Sequence, residues 1–227
     1  MSLLLANRGV YKVEGIPKDG LVAEWTFSGN ANDTSGSGYN GTVSGADLTT
    51  DRKNKTDSAY DFIFANSDYI EIGDVLDFRL SDWTLSLWVR PSSFGSIEGI
   101  FGKSLAGGTP GRWGFYMLGK VPYFLFHASV QYAIAGISGL VALTWYHLCV
   151  TVDRSGYIRM YINSILNDSL DISSEFSYDL QTNIITRFGS YNDGAGSPGN
   201  YLDGKVDDTR VYNRVLSTDE IKALYNE

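Results

Sequence analysis

The sequence predicts an all-β domain, a sandwich or barrel of short strands with a short C-terminal helix. Three observations carry this reading. Apolar residues recur with period two in many short runs. Pairs such as Asn40-Gly41, Ser155-Gly156, Asp193-Gly194 and Asp203-Gly204 lie between those runs as turns. The 227 residues include 25 glycines and 15 tyrosines with only 19% charged residues, a composition suited to aromatic strands joined by tight turns. A chain of this length fits one sandwich. It can bury roughly 70% of its unfolded surface, so its core needs neither disulfide nor metal.

Taken in order, residues 1–19 carry Arg8, Lys12 and Lys18 among Gly9, Gly15 and Pro17 without a long period. They are expected to form an N-terminal arm, with the sandwich domain spanning 20–227. From Leu21 the alternation begins: Leu21, Ala23, Trp25 and Phe27 share one face. Tyr60, Phe62 and Phe64 alternate in the same way, as do Ile70 and Ile72. Trp83, Leu85, Leu87 and Val89 form the apolar face of a longer strand. Tyr146, Leu148, Val150 and Val152, then Ile158, Met160 and Ile162, form two more. Val121 to Ala128 is apolar on both faces, as in a strand covered on both sides. Ser217 followed by Glu220 forms a capping box, and Ile221, Leu224 and Tyr225 follow at helical spacing.

The net charge is −8, which disfavours phosphate backbones and anionic membranes. Nucleic acid is therefore not an expected partner. No apolar run approaches the ~20 residues that span a bilayer, so no membrane insertion is expected. The only cysteine, Cys149, rules out an internal disulfide and a thiolate zinc site. Residues 1–12, MSLLLANRGVYK, lack the charged and apolar regions of a secretory signal.

Three segments together resemble the laminin-G-like branch of the concanavalin A-like lectin/glucanase superfamily. They are GLVAEWTFSGNANDTSGSGYNG from Gly20, DWTLSLWVRP from Asp82 with WYHLCVTVDRSGYIRMYIN from Trp145, and LDGKVDDTRVYNRVLSTDEIKALY from Leu202. The resemblance spans about residues 20–226 and implies that the all-β domain is a two-sheet antiparallel jelly-roll sandwich. Two departures stand out. Phe27-Ser28-Gly29 replaces the family's Phe-Asp-Gly, and Asn163-Ser164 replaces an Asp-Gly turn.

By parity, Asp207 shares a strand face with Thr209 and Val211, so an inward Val211 implies an inward carboxylate. Such a group needs neutralising or hydrogen-bonding. The resemblance implies a structural calcium, a cation that takes about six to eight oxygen ligands. The ligands carried over are Asp207, Asp33, Asn30 and Gly36, with Ser28 where the family has an acid. The alternative is that Asp207 caps backbone N–H groups of the loop from Gly29 to Gly36.

Glycan hydrolysis on this fold needs paired carboxylates on one strand face, roughly 5–5.5 Å apart for retention. The related glucanases use Glu-x-Asp-x-(x)-Glu. The seven glutamates here (14, 24, 71, 98, 175, 220 and 227) form no such pattern. His127 and His147 are expected to be structural and Cys149 to be inert. A non-catalytic binding module is therefore expected, with a glycoside hydrolase as the remote alternative. Aromatic and polar residues near glycine-rich loops are the candidate glycan contacts: Trp113, Tyr191, Asn192, Asp193 and Tyr201. The expected partner is a glycan or a surface protein. Two settings fit: a virion decoration or surface protein whose residues 1–19 dock on assembly neighbours, or a lectin-like module. The corresponding localisation is a virion or other extracellular surface.

Overall fold

The structure is a computed structural model describing residues 15–103, 110–191 and 197–227; every count of elements is for these residues. Fifteen strands and one helix follow one another. The first eight strands are β1 Leu21–Trp25, β2 Thr42–Ser44, β3 Asp47–Thr49, β4 Ala59–Phe62, β5 Tyr69–Gly73, β6 Trp83–Pro91, β7 Glu98–Lys103 and β8 Trp113–Leu118. Then come β9 Val121–His127, β10 Gln131–Ala135, β11 Tyr146–Val152, β12 Tyr157–Ile162, β13 Ile165–Asp171, β14 Thr186–Phe188, β15 Gly204–Tyr212 and helix α1 Thr218–Tyr225.

They form two antiparallel sheets. The larger runs β13-β12-β11-β6-β15-β4-β3, with β1 also pairing with β15. The smaller runs β10-β9-β8-β7-β14-β5-β2. The predicted alternation fills the space between them. Trp25, Leu85, Leu87, Val89, Leu148, Val150, Ile158 and Met160 from one sheet meet Ile70, Phe101, Trp113, Phe115, Phe124 and Phe188 from the other. Phe101 and Phe188 stack at 4.1 Å, and Trp25 meets both rings edge-on. β9 is buried along most of its length, matching its continuous apolar pattern.

The other face of the larger sheet is closed by α1. Cys149, Tyr161 and Tyr212 pack there against Leu216, Ile221 and Leu224. The capping box is present: the Ser217 side chain accepts from the Glu220 N–H, and the Glu220 carboxylate accepts from the Ser217 N–H. The Asn163-Ser164 turn joins β12 to β13 with both residues left-handed, at φ 52° and 63°. The family's glycine is therefore replaced without losing the turn geometry.

Two alternations break. Phe64 does not continue the face of Tyr60 and Phe62, because the chain turns through a 3-10 segment at Phe64–Asn66 and leaves Phe64 exposed. In β15 a bulge lies between Asp207 and Arg210, with Asp208 at φ 33°. Val206 and Val211 both enter the core although five positions apart. The extra residue reverses the parity, so Asp207 faces the α1 side, not the core side inferred from Val211.

Of the expected arm, residues 1–14 lie outside the described residues. Its last residues pack on the domain: Ile16 sits against the α1 cluster, and Tyr212 Oη donates to the Pro17 carbonyl at 3.1 Å.

Candidate binding cleft and the buried ion network

A cleft of about 260 Å³ opens where three connections meet. After β4 the chain leaves the sheet, and Asp68, itself buried, accepts the Ile63 N–H at 2.8 Å and pins the turn. That turn presents Ile63 and Phe64 to solvent. The β6–β7 loop brings Ser93, Phe94 and Gly95. The segment entering β15 brings Asp203, whose carboxylate accepts from Ser93 Oγ at 2.5 Å. The Ser92 N–H donates to the Asp203 carbonyl at 2.7 Å and ties the two loops together.

The first residue of β7, Glu98, lines this cleft and is only 1% exposed. Its Oε2 is buried with no hydrogen-bond partner. Burial pushes its carboxyl up to about 7, and the Asp203 carboxylate adds to the rise, while the N–H groups of Gly95 and Asp203 pull the other way. The result is an aromatic wall, Phe64 and Phe94, above a buried acid with spare hydrogen-bonding capacity. Sequence reasoning missed this site. Its one visible signal was Phe64, read there as part of an alternating strand.

The expected glycan contacts lie elsewhere. Trp113 is buried in the core against Phe78, Trp83 and Phe101, so its ring faces no solvent for a sugar to stack on. Tyr191 is buried beside Tyr116. Tyr201 is half-buried and donates to the Pro198 carbonyl at 3.0 Å. Asn192 and Asp193 lie outside the described residues.

The expected calcium ligands are engaged by protein groups. Asp33 accepts the N–H groups of Glu24, Ser35 and Tyr39 at 2.9–3.1 Å, and these bonds hold its carboxyl below the usual range although burial opposes them. Asn30 Oδ1 accepts the Asn32 N–H at 2.8 Å. Gly36 turns at φ 99°. Ser28 Oγ accepts from Lys55 at 3.2 Å.

Asp207 meets a residue the sequence analysis did not single out. Arg52 Nη1 donates to Asp207 Oδ2 at 2.7 Å and also to Asp208 Oδ2. The other Asp207 oxygen accepts the Asp208 N–H at 2.7 Å. Among the described residues, no group of three His, Cys, Asp or Glu side chains is set to hold a metal. As arranged, the carried-over set does not fit a calcium ion, because a guanidinium stands at the central aspartate and backbone donors fill Asp33.

His147 is fully buried, with Nε2 2.7 Å from Ser86 Oγ, and burial pushes it down to about 3. His127 Nδ1 accepts from Arg112 Nε at 3.1 Å. Burial pushes the Cys149 thiol up.

This architecture and the comparisons agree. Residues 64–222 match the family model described as the Concanavalin A-like lectin/glucanases superfamily, and the chain belongs to it. No curated protein matches significantly. Among solved structures, domain 4 of AbnA, an extracellular arabinanase from Geobacillus stearothermophilus solved with arabinotriose, aligns with TM-score 0.71 and 19% identity. The alignment covers 90% of this chain and 98% of that one. The Paraclostridial Mosquitocidal Protein 1 binding domain aligns with TM-score 0.71 and 20% identity over 92% of this chain and 52% of that one. The Botulinum neurotoxin serotype D ligand binding domain, solved with N-acetylneuraminic acid, gives TM-score 0.69 and 17% identity over 92% and 51%. The chain thus spans about half the length of these toxin binding domains. At such identities the likeness is one of fold.

Proposed function

We propose that this protein is a non-catalytic glycan-binding module whose cleft at Glu98 receives a neutral sugar ring. The observation that carries the reading is a single cleft lined by the exposed Phe64 ring, the half-buried Phe94 ring and the Asp203 carboxylate, with Glu98 recessed behind them. A sugar presents an apolar C–H face to aromatic rings and hydroxyl groups to acids. The arabinanase domain with arabinotriose and the toxin domain with N-acetylneuraminic acid support a glycan partner for the fold. The Asp203 carboxylate at this cleft opposes an anionic sugar, so a sialylated glycan is disfavoured here.

A hydrolase would need its two carboxyls free on either side of a glycosidic bond. Glu98 is instead recessed and Asp203 is tied to Ser93. The test is a glycan array followed by calorimetric titration of the best neutral glycan. Phe64→Ala should weaken binding roughly 5–10-fold, the loss of one aromatic contact. An empty array, or a Phe64→Ala, Phe94→Ala double variant that binds as the parent does, would sink the proposal. Release of reducing ends from the bound glycan would favour the hydrolase.

A further inference from the structure

We propose that Arg52 is the resident cation of the β15 bulge, pairing with Asp207 and Asp208 from within the chain and making the fold independent of a divalent metal.

The geometry is that of an enclosed ion. The Arg52 side chain is 6% exposed. It hydrogen-bonds Asp207 and Asp208, and its Nη2 lies 3.6 Å from Glu227 Oε2. Its guanidinium stands 4.7 Å from the Trp88 ring centroid, and Trp88 is in turn stacked on Tyr225 of α1. Planar, permanently charged and weakly hydrated, a guanidinium tolerates such a place better than a strongly hydrated ammonium.

The β3–β4 loop is built to deliver it. Asp51 Oδ1 accepts the N–H groups of both Lys53 and Lys55 at 2.8 Å. The Asp51 N–H donates to the Lys55 carbonyl at 3.0 Å. The loop thus folds on itself and points Arg52 inward. A neighbouring polar cavity of about 290 Å³ is lined by Asp207, Asp208 and Glu227 with Lys53 and Lys55.

The charge balance requires a cation here. Arg210 is committed to Glu24 at 2.8 Å and to both Glu227 oxygens at 2.6 and 3.0 Å. Without Arg52, Asp207 would be a nearly fully buried carboxylate beside a second one, 3.6 Å from Arg210 at its closest atom. A divalent ion would have to evict the guanidinium to reach Asp207. That would exchange one buried cation for another and leave Arg52 unpaired.

The experiment is thermal melting of the purified chain in chelator and in millimolar calcium, for the parent, Arg52→Ala and Arg52→Lys. The parent should melt at the same temperature in both. Arg52→Ala should lose roughly 6–20 °C, as when one partner of a buried pair is removed. Calcium should recover part of that loss. Arg52→Lys should fall between the two. A parent whose melting temperature drops in chelator or rises with calcium overturns the proposal. So does an Arg52→Ala variant that melts like the parent or ignores calcium. Should Arg52→Ala not fold alone, refolding with calcium is the readout: recovered native protein supports the proposal, and none overturns it.

Discussion

A carboxyl recessed beneath apolar walls resists ionisation, and Glu98 shows what that does to stability. Its folded-state value of about 7 lies above its ordinary 4.5. Between those values the folded chain holds a proton that the unfolded chain has released. The contribution of Glu98 is therefore fully present below pH 4.5 and is lost as pH rises through 7. Glu98→Gln does not titrate. It should match the parent near pH 4 and exceed it by up to ~3 kcal/mol at pH 8, measured by denaturant unfolding at the two pH values. Equal stability at both would mean that Glu98 ionises freely. Nothing in the sequence around Ile97-Glu98-Gly99 marks this acid, because the cleft around it is completed by loops distant in sequence that carry Phe64 and Asp203. Arg52 was hidden for the same reason, since it is 155 residues from Asp207.

The elements differ in how openly the sequence declares them. Helix α1 was legible because its cap is local: Ser217 and Glu220 meet across one turn, and the outcome depends on nothing remote. Arg214 reinforces it, reaching both Glu220 oxygens at 2.6 and 3.0 Å. Those bonds, led by Arg214, hold the Glu220 carboxyl down at about 2. Ser217→Ala should therefore cost ~1 kcal/mol, read as a lower melting temperature with the sheets intact by circular dichroism. An unchanged melting temperature would place the helix outside the cooperative unit. Strand β15 was legible as a strand but not in its facing. Period two holds on either side of the bulge, and one inserted residue reverses every orientation inferred across it. The calcium expectation leaned on that parity for Asp207, which instead turns toward Arg52.

At the scale of the whole molecule, the sandwich was the most readable feature. Its signals are repeated many times, and each strand's pattern supports its neighbours. Binding surfaces lack that redundancy. The expected aromatic contacts were chosen for nearness to glycine-rich loops, yet Trp113 and Tyr191 serve packing, while Phe64, the exposed ring of the cleft, was assigned to a strand. The burial of β11 has a further use. Cys149 is fully enclosed between the larger sheet and α1, and it is the chain's only thiol. An alkylating reagent has nothing to attack until that layer parts, so the sulfur is an internal stopwatch for opening. Modification should proceed no faster than the rate at which the folded molecule exposes this layer, and should accelerate steeply with denaturant. Rapid modification of the native protein would show instead that α1 lifts away on its own. Either way, the sulfur times how tightly the helix clasps the sheet, without any probe being engineered into the chain.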